Sequence, residues 1–239
     1  MRTIAIMMMV GYHTLYLLEY FGIRYTGVPG PYRGFWWWIP IVIVSLFTLT
    51  AGISLPITYS RSPKTPSFIL RGLKILGLGM GITVITWVIN PYGYVRFGIL
   101  HFFGLAFVLA TFFLRFHYVN LIAGAALMAA GIYQIQTWNL PSPPWLLWLI
   151  PHRFATMDYW PLLPWFGVFL VGMFVGQTFY PQGKRIFVIP DLNNPAVSAL
   201  TLLGRHPLVI YLAQWPVLIG ILLVLFPGNV LPHFPRLPF

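Results

Sequence analysis

Apolar residues gather in seven long runs along the 239-residue chain, at about 3–21, 35–57, 69–90, 97–115, 118–136, 161–180 and 198–226. Each is close to the roughly 20 residues that a helix needs to cross a hydrocarbon core. Pro- and Gly-rich punctuation separates them, as in Val28-Pro29-Gly30-Pro31, Ser62-Pro63-Lys64-Thr65-Pro66 and Pro141-Ser142-Pro143-Pro144. The pattern predicts an all-α fold, a polytopic membrane helix bundle of about seven transmembrane helices, with residues 1–239 as a single integral membrane domain. No soluble module fits between the runs, and no internal repeat is visible. The first run carries His13 and Glu19 and no small-residue cleavage site follows it, so it reads as a span and not as a cleaved signal peptide.

Composition agrees. Hydrophobic residues make up 59% and charged residues 7%, against about 25% charged in a soluble globule. Such a chain cannot keep a soluble surface wet, and disordered, collagen-like and coiled-coil classes fail for the same reason. Cysteine is absent, which excludes disulfides, thiolate metal sites and Cys nucleophiles.

Charge then orients the bundle. The net charge of +11 comes from 14 Lys and Arg against three acids, Glu19, Asp158 and Asp191. With a cytoplasmic N-terminus, Arg2, Arg61, Lys64, Arg71, Lys74, Arg115, Lys184, Arg185 and Arg205 fall inside. Arg24, Arg33, Arg96, Arg153 and Arg236 fall outside, and nine against five favours that topology. The expected location is a prokaryotic cytoplasmic membrane, with membrane lipids as partners. No basic cluster sits on a soluble module, so nucleic acid is not an expected partner. With so few acids, most cations face water, lipid phosphate or an anionic ligand. The two long outer connections, about 22–34 and 137–160, carry Trp36-Trp37-Trp38 at one edge and Trp145, Trp148 and Trp160 at the other. They form an aromatic belt or a stacking surface for a sugar or lipid head group. The segment Pro144 to Ile150 is short enough to lie flat at the interface.

Ionisable residues inside a membrane are costly, and each is a functional hypothesis. Eleven residues of helix separate Arg2 from His13, a rise of about 16 Å. Arg2 is therefore placed at the cytoplasmic boundary and His13 near the midplane. A neutral imidazole there is either a proton acceptor or a hydrogen-bonding link between helices. Glu19, His101 and Asp158 all fall toward the outer side, where a His–carboxylate cluster could orient an acceptor or shuttle protons. Each alone also fits an interfacial residue. No HxxxH, HExxH or paired-carboxylate spacing occurs, so no metal site is expected. Gly77, Gly79 and Gly81 lie in an apolar helix with no preceding strand, which points to close packing and not to a nucleotide loop. Gly172-x-x-x-Gly176 reads as a small-residue packing face. Gly204-Arg205-His206-Pro207 differs: Pro207 suits a first helical turn, and backbone donors beside Arg205 could receive a phosphate.

Several segments together resemble one family. Arg2-Thr3-Ile4-Ala5 through Val10-Gly11-Tyr12-His13 is similar to the opening helix of multi-spanning acyltransferases, with Thr3 where they carry Gly. Gly52-Ile53-Ser54-Leu55, Phe97-Gly98-Ile99-Leu100-His101-Phe102-Phe103-Gly104 and Asp158 through Gly167 resemble successive motifs of the heparan-α-glucosaminide N-acetyltransferase catalytic-domain family. Leu203-Gly204-Arg205-His206-Pro207-Leu208 to Tyr211-Leu212 resembles its last helix, where relatives show His-Gln before a Pro and this chain has Gln214-Trp215-Pro216. The resemblance implies transfer of an acetyl or other acyl group from cytoplasmic acyl-CoA, acetyl-CoA in the first instance, to a sugar amine or hydroxyl. It implies that Arg2, Arg71, Lys74 and Arg205 meet the CoA phosphates. It further implies that His13 is general base or transient acyl acceptor, and that Glu19, His101 and Asp158 face a small-molecule or glycan acceptor. The alternative is a non-catalytic subunit of a homo-oligomer or larger membrane complex, whose intramembrane His residues ligate haem or a chlorophyll-type pigment.

Overall fold

Proline and polar turns set where the helices begin and end. The computed structural model describes residues 1–23, 34–137, 144–188 and 194–233. Residues 24–33, the Pro141-Ser142-Pro143 run, Asp191 and Arg236 lie outside the described residues. Among the described residues the α-helices are α1 (Arg2–Tyr20), α2 (Ile39–Arg61), α3 (Thr65–Ile89), α4 (Ile99–Ala110), α5 (Tyr118–Thr137), α6 (Leu162–Phe179), α7 (Pro195–Arg205), α8 (Pro207–Leu225) and the single turn α9 (Pro227–Val230). The only β pairing among them is an isolated bridge between Phe97 and Tyr159. An all-α membrane bundle is the fold.

Five helical segments are long and apolar enough to span: Gly34–Arg61, Thr65–Ile89, Tyr118–Thr137, Leu162–Phe179 and Pro207–Leu225. The other two expected spans differ for identifiable reasons. α1 has the length, but Arg2, His13 and Glu19 lower its apolarity. The 97–115 run gives only the 12 residues of α4, followed by a 3₁₀ turn at Thr111–Phe113. The 198–226 run is broken, because Pro207 lacks the N–H that a continuous helix needs and instead starts α8 after His206. The segment after Pro144 forms one 3₁₀ turn, Pro144–Leu146.

Contacts divide the chain into two units, Met1–Phe47 with Ile189–Pro238, and Thr48–Val188 with Phe239. In the first unit, Met9, Ile39 and Ile43 form a buried cluster, with Met8, Tyr12, Trp36, Phe47, Ile210 and Tyr211 packed around it. Met9, His13 and Leu17 recur at intervals of four, so they share one stripe of α1. Thr3 Oγ1 donates to the Leu200 carbonyl at 2.8 Å and ties α1 to α7. The Thr that replaces the expected Gly therefore has a structural use.

In the second unit, α3 packs on α4 and α5 on α6. Small residues set these crossings. A Cβ on Gly72 would lie 2.7 Å from the Gly104 carbonyl, and one on Gly104 would lie 2.6 Å from the Leu76 nitrogen. Gly172 and Gly176 face the α2 carbonyls of Leu49 and Ile53 in the same way, so the GxxxG pair is a packing face. Asn120 Nδ2 shares its two N–H groups among the Phe113 and Phe116 carbonyls and Gln177 Oε1, and Gln177 Nε2 donates to the Leu114 carbonyl at 2.8 Å. Those two amides satisfy carbonyls of the turn between α4 and α5. The outward face of α3 keeps Leu70, Leu73, Val84, Trp87 and Val88 exposed. That is the surface a lipid-facing helix presents.

Candidate functional site

The α1 stripe brings His13 against α8. Its ring centroid lies 5.3 Å from that of Trp215, which in turn meets Tyr16 edge-on at 5.8 Å. Tyr12 approaches the imidazole from the same helix, at 6.0 Å. The Gln214 side chain lies beside the ring without closing a hydrogen bond to its Nδ1. His13 Nδ1, Gln214 Oε1 and Gln214 Nε2 are all buried without a partner. Aromatic walls around unsatisfied polar atoms can orient a polar reacting group and shield it from water.

At the N-terminal end of α1, the first unit brings two of the expected phosphate contacts together. A side chain on Gly204 would reach within 2.9 Å of Thr3 Oγ1 and 3.8 Å of Arg2 Cβ, so the end of α7 crosses the start of α1 at that point. Arg205 is exposed at the next position. The other two belong to α3 in the second unit. Arg71 and Lys74, three residues apart, are both exposed, and the Arg71 guanidinium sits 5.1 Å over the Phe107 ring.

Of the expected outer cluster, His101 and Asp158 meet at the start of α4. Asp158 Oδ2 accepts the Ile99 N–H at 2.7 Å, which satisfies one of the open amides of that helix. His101 Nδ1 accepts the Gly98 N–H at 3.2 Å, and Nε2 lies 3.1 Å from Thr83 Oγ1, which donates to the Val95 carbonyl at 2.7 Å. The order of donors assigns the neutral Nε2–H tautomer. Both ring nitrogens are then engaged, and the side chain is only 3% exposed. Gly98 is required here because a Cβ would run into the Asp158 carboxylate. Glu19 is exposed near the end of α1, in the first unit.

The approach to this corner is held by the loop preceding α6. Met157 N–H and Trp160 N–H donate to the Gly93 and Phe97 carbonyls, each at 3.0 Å. Tyr159 Oη lies 2.7 and 2.9 Å from the Leu147 and Ile150 carbonyls and accepts the His152 N–H at 3.1 Å. Burial raises its phenol above the usual range, so it stays a donor. The Arg96 guanidinium lies between the Tyr94 and Phe154 rings, 5.1 and 4.9 Å from their centroids. Gly98 and Tyr159 stand in the motifs the sequence offers but carried no role there, and Thr83 gave no sequence signal. His101, three residues after Gly98, reaches back to the Gly98 N–H as the third residue of a capping box does, but Gly98 has no side chain to supply the reciprocal bond. Among the described residues no three His, Cys, Asp or Glu side chains come together as a metal site.

Comparison with known proteins gives one result. Searches of curated proteins and of solved structures found no match. A sequence model described as "Heparan-alpha-glucosaminide N-acetyltransferase, catalytic" matches residues 1–216, which take in α1 to α7 and the first half of α8. The chain therefore belongs to the heparan-alpha-glucosaminide N-acetyltransferase catalytic family, a family of membrane acyltransferases.

Proposed function

We propose that the protein transfers an acetyl or related acyl group from cytoplasmic acyl-CoA to a sugar amine or hydroxyl, with His13 as the group that handles the proton or carries the acyl group. The observation that supports this most is the buried His13 Nδ1 with no hydrogen-bond partner, on the opening helix of a chain in this family. His101, by contrast, has both nitrogens committed.

In this reading Arg2 and Arg205, which the first unit brings near each other, attract the CoA phosphates. The attacking amine or hydroxyl loses its proton to the imidazole as its lone pair adds to the thioester carbonyl. The C–S bond then breaks and the proton returns to the departing thiolate. In the covalent variant, the imidazole nitrogen attacks first and the acceptor takes the acyl group from it. Asp158 and His101 are committed to holding the start of α4 and do not move protons.

The test is release of free CoA thiol by the purified protein, given acetyl-CoA and glucosamine in lipid vesicles. Turnover by the wild type and its loss in His13→Ala are expected. Equal thiol release from both would remove His13 from the mechanism.

A further inference from the structure

Gln214 is the feature of this site that packing does not explain. It is 5% exposed on a helix that is otherwise apolar, and neither amide atom has a partner. A Leu would fill the same space with no polar group to satisfy. Native structures pair nearly all buried polar atoms, and an exception next to a candidate catalytic group points to a ligand. The amide carries two N–H donors and one carbonyl acceptor. It stands beside an imidazole whose shielded nitrogen is also open.

We infer that Gln214 Nε2–H binds the carbonyl oxygen of the acyl donor and stabilises the oxyanion that forms on it, so that Gln214 is a catalytic residue alongside His13. This rests on the acyl-transfer reading above. As the acceptor's lone pair forms the new bond to the acyl carbon, the C=O π pair moves onto oxygen, and the Gln214 N–H faces that charge. The acceptor proton passes to His13. The oxyanion pair then re-forms C=O, the C–S bond breaks with its electrons on sulfur, and the thiolate takes the proton from His13. The same donor serves if the acyl group pauses on the imidazole, because each transfer passes through an oxyanion on the same carbon. Trp215, whose ring is tilted against that of His13, covers one side of the pair, and a donor in a water-poor site stabilises charge more than it would in water.

The test compares wild type, Gln214→Leu and Gln214→Glu in detergent and in vesicles with acetyl-CoA and glucosamine, following kcat, KM for acetyl-CoA and the melting temperature. Gln214→Glu, assayed at a pH at which its carboxyl is ionised, keeps the shape and the acceptor but offers no hydrogen-bond donor. Both variants are expected to lose about 100- to 1,000-fold in kcat, the range for one oxyanion donor. KM is expected to change little, and Gln214→Leu to melt at or above the wild-type temperature. Turnover within about threefold of wild type in Gln214→Leu would overturn the inference while leaving the acyl-transfer reading in place. A kcat loss accompanied by a lower melting temperature in Gln214→Leu would also overturn it, in favour of a structural role. If the wild type itself moves no acetyl group, the underlying reading fails first, and the inference with it.

Discussion

Asp158→Ala removes the carboxylate that accepts the Ile99 amide at 2.7 Å at the first turn of α4. A hydrogen bond to an ionised group contributes about 1.5–3 kcal/mol, and a negative charge at a helix start adds about 0.3–1 kcal/mol. The two contributions overlap in one oxygen, so about 2–3 kcal/mol is expected for Ala. Asn keeps an acceptor and loses only the charge, for about 0.5–1 kcal/mol. In a chain of this size each kcal/mol moves the midpoint by about 2–4 °C. Tryptophan-fluorescence melting in detergent is then expected to fall by about 4–12 °C for Ala and about 1–4 °C for Asn. Acetyl transfer, measured on the same samples below those midpoints, is expected to survive Asp158→Asn within a few-fold. An unchanged midpoint with abolished turnover in Asp158→Asn would refute the capping account and make Asp158 a proton-handling group.

Further expectations concern other parts of the chain. Gly104→Ala drives a Cβ against the Leu76 backbone and is expected to cost about 1–3 kcal/mol. Gly77→Ala, with nothing within 4 Å of the new atom, is expected to be neutral or to stabilise by up to about 1 kcal/mol; melting of the pair checks both. Tyr159→Phe leaves the His152 amide without its acceptor and is expected to cost about 1–3 kcal/mol at neutral pH. Because burial raises the Tyr159 phenol, its contribution is fully present below the unfolded value of about 10. It is lost as pH climbs through the higher folded value, so the melting gap between wild type and Tyr159→Phe should persist at neutral pH and narrow only in strong alkali. Arg2→Ala and Arg205→Ala are expected to raise KM for acetyl-CoA several-fold at low salt and less at high salt, where phosphate attraction is screened; steady-state kinetics at two ionic strengths decide it.

Hydropathy alone revealed most of the architecture, because a membrane helix is a long apolar run ended by Pro, Gly or charge. Where helices stop was harder. Pro207 breaks the last run into α7 and α8, and α4 ends early in a 3₁₀ turn that Asn120 and Gln177 satisfy from elsewhere. The candidate site divided along similar lines. Composition and spacing were enough to single out His13, since an imidazole inside an apolar helix needs a reason. They could not tell that His101 is fully bonded and His13 is not, because that depends on Thr83 and on the Gly98 amide. Gln214 was visible only as a departure from a motif. Apart from Gln214, α8 is apolar on every face, so no stripe in its sequence shows which side meets protein and which meets lipid.

Whether acyl transfer runs through the imidazole of His13 is decided by transfer of labelled acetyl from acetyl-CoA to glucosamine by His13→Ala, assayed with and without added imidazole. A loss of about 100- to 10,000-fold is expected, the usual contribution of a positioned acid–base group, with part of it restored by imidazole. Undiminished transfer by His13→Ala would exclude the imidazole from the reaction.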